Sequence, residues 1–168
     1  MLSATRFAPT LQTDGQEFEP ITIPDWDADR ALSALNIERI PFDHTDGNVQ
    51  GFCRKRQIAI NPFAQLPHKT LFHEIAHSIL HSSEGDFADT ETTPRSLREV
   101  EAEAVALLCC ESLGLEGAEF CRGYIQNWLS RGNGLDADAI PEKSAQKIFR
   151  AADQIIRAGR SEIEPVTT

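Results

Sequence analysis

Residues 73 to 77 read His-Glu-Ile-Ala-His, and no other stretch of the chain limits its possible folds so strongly. With five histidines and fifteen glutamates in 168 residues, chance would produce the HExxH spacing in only about one shuffled sequence in a hundred. On a helix the two histidines are separated by about 40° of rotation and about 6 Å of rise, so both imidazoles reach one ion. Leu71, Phe72, Ile75 and Ile79 fall on nearly the opposite side, which predicts an amphipathic helix over 68–81 with a buried back and a chemical front. Glu74 lies beside the histidines.

Two histidines leave a catalytic zinc site one protein ligand short. The next helical stretch, 95–113, carries Glu99, Glu101 and Glu103. Glu103 falls within an apolar stripe of Val100, Ala106, Leu107 and Cys110, where a carboxylate needs a partner, because unpaired burial costs several kcal/mol or forces protonation. Glu103 is therefore the first candidate for the third ligand. Glu99, one turn earlier on nearly the same side, is the second. Glu101 points away and is expected to be solvated or paired with a base.

A zinc ion so held brings the pKa of bound water toward 7, and Glu74 is the expected acceptor of that proton in hydrolysis of an amide. A developing oxyanion wants a donor, for which Tyr124, His81 and Arg98 are candidates. Tyr124 shares its helix with Phe120, Ile125, Trp128 and Leu129, a setting that also suits a core aromatic. His81 continues the four-residue series and suits an outer position. His44 and His68 follow no pattern and read as surface residues.

Around this centre, periodicity predicts a short helix after Asp25, strands at 38–42, 49–52 and 56–60 in a small antiparallel or mixed sheet, and helices at 68–81, 95–113, 117–130 and 142–158, the last closed by Gly159. Arg54, Lys55 and Arg56 suit a hairpin tip. Residues 1–22 read as an arm or linker, 23–160 as one domain and 161–168 as a tail. The polar stretch 82–94 is either a connector or a lid between the ligand helices. Cys53, Cys109, Cys110 and Cys121 lack CxxC spacing and read as reduced, mostly buried thiols.

The balance of 26 acids against 16 bases, a net charge of −10, argues against direct nucleic-acid binding, which rests on neutralising phosphates with Lys and Arg. The longest apolar run, Ala104 to Cys110, is far too short for a membrane span. No secretory signal is visible in MLSATRFAPT, so a cytoplasmic location is expected.

The segments KTLFHEIAHSILH, REVEAEAVALLCCESLGL and GYIQNWL, together with the lead-in DGNVQGFCRKRQIAINP, resemble the zincin-like peptidase half of the ArdC antirestriction proteins and, more distantly, the ImmA/IrrE metallopeptidases. The resemblance spans about residues 36 to 158. It implies an α+β zincin-like fold, with a small sheet packed on the HExxH helix and about three further helices. An edge strand, expected at Arg56 to Ile60, would lie along the cleft and accept an extended substrate. It also implies His73, His77 and Glu103 as zinc ligands and Glu74 as general base. ArdC proteins carry a single-stranded-DNA-binding half, of which this chain shows only a link-like LQTDGQEFEP. ImmA/IrrE relatives imply cleavage of a specific intracellular regulatory protein. The expected activity is that of a zinc metallopeptidase acting on a protein or peptide. The alternative is a non-catalytic accessory binding protein with a structural metal site, such as an acidic antirestriction factor. The sequence does not specify an oligomeric state.

Overall fold

The computed structural model describes residues 25–82, 93–130 and 140–161. The expected arm at 1–22, residues 83–92 of the connector or lid, the turn after 130 and residues 162–168 of the tail lie outside the described residues. Among the described residues the order is α1 (Ala28–Ala34), β1 (Glu38–Arg39), β2 (Gly51–Arg54), β3 (Gln57–Ile60), α2 (Pro67–Leu80), α3 (Arg95–Leu113), α4 (Ala118–Ser130) and α5 (Glu142–Gly159). This is an α+β arrangement. No described helix is long and apolar enough to cross a membrane.

Local chemistry sets the helix boundaries close to where periodicity puts them. Asp27 caps α1 by accepting from the Arg30 amide at 2.7 Å, which satisfies one otherwise orphaned donor of the first turn. Pro67 opens α2 at a position where no amide hydrogen is needed. Gly114, with φ of 67°, ends α3 in the left-handed conformation that glycine adopts without a Cβ penalty. Gly159 is the last residue of α5 rather than the first beyond it. A Cβ at Gly159 would stand 2.3 Å from Trp26 Nε1. That bare backbone lets the Trp26 indole donate to the Ile155 carbonyl at 3.2 Å and the Asp27 amide to the Gly159 carbonyl at 2.8 Å. The chain segment leading into α1 is thereby fastened to the end of α5.

The sheet is mixed, in the order β1-β3-β2, with β1 parallel and β2 antiparallel to β3. The expected strand over 38–42 shortens to two residues, although the Ile40 amide beyond it still donates to the Ile58 carbonyl at 2.8 Å. The expectation that Arg56 to Ile60 forms an edge is corrected: β3 lies in the centre, and β2 is the edge strand on its hairpin side. The cations do form a hairpin tip, with Lys55 at φ of 57° in the turn. The Ser78 hydroxyl of α2 donates to the Lys55 carbonyl at 2.8 Å, docking the hairpin onto the helix.

The core lies between α2, α3, α5 and the sheet. Leu71, Phe72, Ile75 and Ile79 are buried as their spacing requires. α2 is more enclosed than an ordinary amphipathic helix, since Thr70, Glu74 and Ser78 are buried too. Within its central turns, only His73 and His77 keep appreciable exposure.

Candidate metal centre

α2 presents Lys69, His73 and His77 at four-residue spacing, each about 40° on from the last, and its C-cap His81 continues the series. α3 runs alongside in the opposite direction, so that Glu103 meets Lys69 and His73 while Glu99 meets His73 and His77. The Nε2 atoms of His73 and His77 are 3.1 Å apart. Glu99 Oε2 is 3.5 Å from the first and 3.7 Å from the second. These three residues form a group that can hold a metal ion.

The ranking of the two carboxylates from the wheel is corrected. Glu103 Oε2 approaches His73 from behind, 2.8 Å from Nδ1, the ring atom facing away from the triangle. Its Oε1 is 2.5 Å from Lys69 Nζ. The buried carboxylate thus has its partner in an ammonium and an imidazole, and it backs a histidine instead of completing the triangle. Of the two expectations for Glu101, pairing with a base holds and solvation does not. Its side chain is fully buried and accepts from His81 Nε2 at 2.8 Å.

One arrangement of protons satisfies these contacts, with both buried carboxylates ionised. Burial disfavours a charged Glu101, but hydrogen bonds from His81 and Ser144 outweigh it and lower its pKa. His81, whose own pKa burial pushes down, donates from Nε2 to Glu101 and therefore accepts at Nδ1. His77 then donates from Nδ1 to His81 Nδ1 at 2.9 Å and offers a lone pair at Nε2. His73 donates to that lone pair from Nε2 and faces Glu103 with Nδ1, so it carries both protons. Burial opposes that charge, yet Glu103 and Glu99 overcome it and raise the His73 pKa to about 9. The charged His73 in turn holds Glu99 well below the usual carboxylate range. The proton on His73 Nε2 occupies the place of a cation.

Glu74 is 7% exposed, and burial raises its pKa against the pull of the two histidines. Gly51 of β2 allows this closeness, since a Cβ there would lie 3.2 Å from Glu74 Cγ and 2.8 Å from Thr70 Cγ2. The centre forms one wall of a cleft of about 490 Å³, also lined by Phe52, Cys53, Lys55, Arg95 and Arg98. Cys53 is no nucleophile there: burial and the nearby Glu74 push its thiol pKa up to about 12. All four cysteines are free thiols, and Cys109, Cys110 and Cys121 are buried.

Of the candidate donors, His81 and Arg98 line the cleft and Tyr124 does not. Tyr124 is corrected on both counts: it is 39% exposed on α4 and lines a separate hollow with Phe120 and Asn127. The side of α4 that bears Phe120 and Tyr124 faces outward, so the helix does not bury every aromatic it carries. Sequence reasoning missed Lys69, although its place four residues before His73 was a usable signal. It also missed Gly51, which only the packing of β2 on α2 reveals. No protein-family model, no curated protein and no solved structure matches the chain.

Proposed function

We propose that the chain is a zinc-dependent metallopeptidase of zincin-like fold, similar to the peptidase half of ArdC and to ImmA/IrrE proteins, with His73, His77 and Glu99 as ligands. The observation that carries this reading is the size of the triangle. For bonds of about 2.0 to 2.1 Å, the edge of a tetrahedral site is about 3.3 to 3.4 Å. The three donor separations of 3.1, 3.5 and 3.7 Å bracket that edge. Two imidazole nitrogens and one carboxylate oxygen are a donor set suited to zinc, and three protein ligands leave a fourth position for water or substrate.

Zinc bound there supplies Lewis acidity, polarising a substrate carbonyl and making a water easier to deprotonate. Everything else falls to the protein. Glu103 stands 2.8 Å from His73 Nδ1 and His81 Nδ1 accepts from His77 Nδ1, which turns both Nε2 atoms toward the triangle. Glu74, buried beside the histidines, takes the proton of the attacking water on its carboxylate and returns it to the leaving amine. Its burial favours the protonated form that this return requires. The cleft is open enough to admit an extended peptide, and the outer edge of β2 offers backbone groups to it.

Elemental analysis of the purified chain should find one zinc, and a proteome-wide cleavage screen should find substrates cut by the wild type and spared by Glu74→Gln with zinc retained. A chain without zinc, or equal effects of the two proteins, would overturn the enzyme reading; full biological effect in Glu74→Gln would favour an accessory binding protein.

A further inference from the structure

We propose that Arg98, with Arg95 beside it, binds a carboxylate of the substrate next to the metal position, so that the cleft selects peptides with an acidic group near the scissile bond. This rests on the metallopeptidase reading and adds the chemistry of its substrate.

Among the described residues that line the cleft are two arginines, Arg95 and Arg98, and the carboxylates Glu74 and Glu99. Both carboxylates are committed to the metal centre. Arg95 precedes Glu99 by four residues, the spacing of a helical ion pair, yet Glu99 turns its Oε2 to His73 and His77 instead. Among the described residues no carboxylate lies within 4 Å of either arginine's guanidinium. Arg98 Nε is buried without a hydrogen-bond partner among them. A buried donor left unpaired costs about 1 to 3 kcal/mol, which an incoming acceptor recovers.

The placement is also unfavourable for basic residues in the absence of an anion. Both arginines sit at the start of α3, whose first turn holds no acid and whose Pro94 N-cap offers no side-chain acceptor. The positive end of the helix repels cations and attracts anions. A guanidinium presents a planar fork that matches a carboxylate with two parallel hydrogen bonds. A peptide offers that group in two ways, as an Asp or Glu side chain or as a free C-terminus.

The test uses the full chain, titrated first with zinc, and three peptide hydroxamates of equal length that anchor on the metal. The first carries an internal aspartate and an amidated C-terminus. In the second asparagine replaces the aspartate, and the third is the asparagine peptide with a free C-terminal carboxylate. Calorimetric Kd values should favour at least one carboxylate-bearing compound over the neutral one by about tenfold or more. Which compound is favoured assigns the source. The ratio should fall toward one in Arg98→Gln, fall partway in Arg98→Lys, and weaken in Arg95→Gln, with zinc stoichiometry confirming that each variant is folded. Zinc uptake with equal affinity for all three compounds overturns this proposal alone. A preference that survives both glutamine substitutions does the same. Failure to take up zinc overturns this proposal and the metallopeptidase reading together.

Discussion

Each histidine of the candidate metal group has a partner at its far nitrogen: Glu103, which Lys69 neutralises, for His73, and His81, which Glu101 anchors, for His77. Such outer contacts orient a ligand without touching the ion, and losing one costs about 10- to 100-fold in metal affinity. His81→Ala and Glu103→Gln should each weaken zinc binding within that range, measured by competition with a chromophoric chelator. Glu99→Ala should weaken it further than either. Unchanged affinity in Glu99→Ala together with loss in Glu103→Ala would restore the opposite ranking. The thiols give a second prediction at this scale. Burial pushes the pKa of Cys53 to about 12 and of Cys110 to about 11, and raises those of Cys109 and Cys121 as well. A raised thiol pKa leaves little reactive thiolate at neutral pH. Folded protein at pH 8 should therefore resist iodoacetamide, with all four thiols alkylated rapidly only in denaturant; fast labelling of the folded chain would contradict this.

Among the elements, three glycines distinguish contact from flexibility. A Cβ at Gly159 meets the rigid Trp26 ring at 2.3 to 2.7 Å, and one at Gly51 meets Thr70 and the Ala59 carbonyl at 2.8 and 3.0 Å, whereas Gly123 of α4 has nothing within 4 Å. Overpacking of this kind costs about 1 to 3 kcal/mol. Urea denaturation should show Gly159→Ala and Gly51→Ala to be destabilised by about that much, while Gly123→Ala gains about 0.5 to 1 kcal/mol from helix propensity. Gly51→Ala should also displace Glu74 and so depress peptidase turnover more than zinc affinity. Equal stability of all three variants would mean that the close approaches of β2 to α2 and of Trp26 to α5 are not maintained in solution.

At the scale of the whole molecule, the core is built without the metal. Phe72, Ile75, Ile79, Val105 and Ile155 are fully buried behind the histidines, and the charged groups of the centre already pair with one another. Chelation should leave the helical circular dichroism intact and lower the unfolding free energy only by the linkage term, about 2.7 kcal/mol when zinc stands at 100 times its Kd. Collapse of helical signal on chelation would make the ion structural instead. The sequence by itself determined the HExxH helix, its buried back and the shared front of His73 and His77, because these depend on spacing within one helix, where 100° per residue leaves no freedom. It also placed the boundaries of α2 and α3 within a residue, 68–81 against Pro67–Leu80 and 95–113 against Arg95–Leu113, where backbone chemistry is local. Only the tertiary structure brought Glu99 rather than Glu103 to the two Nε2 atoms, moved the sheet edge from β3 to β2, and turned Tyr124 away from the cleft. The two glutamates differ by one turn along α3, and which of them reaches the open side of His73 is set by how far α3 slides along α2. That register comes from apolar side chains packing across segments distant in the chain, and no pattern within either helix encodes it.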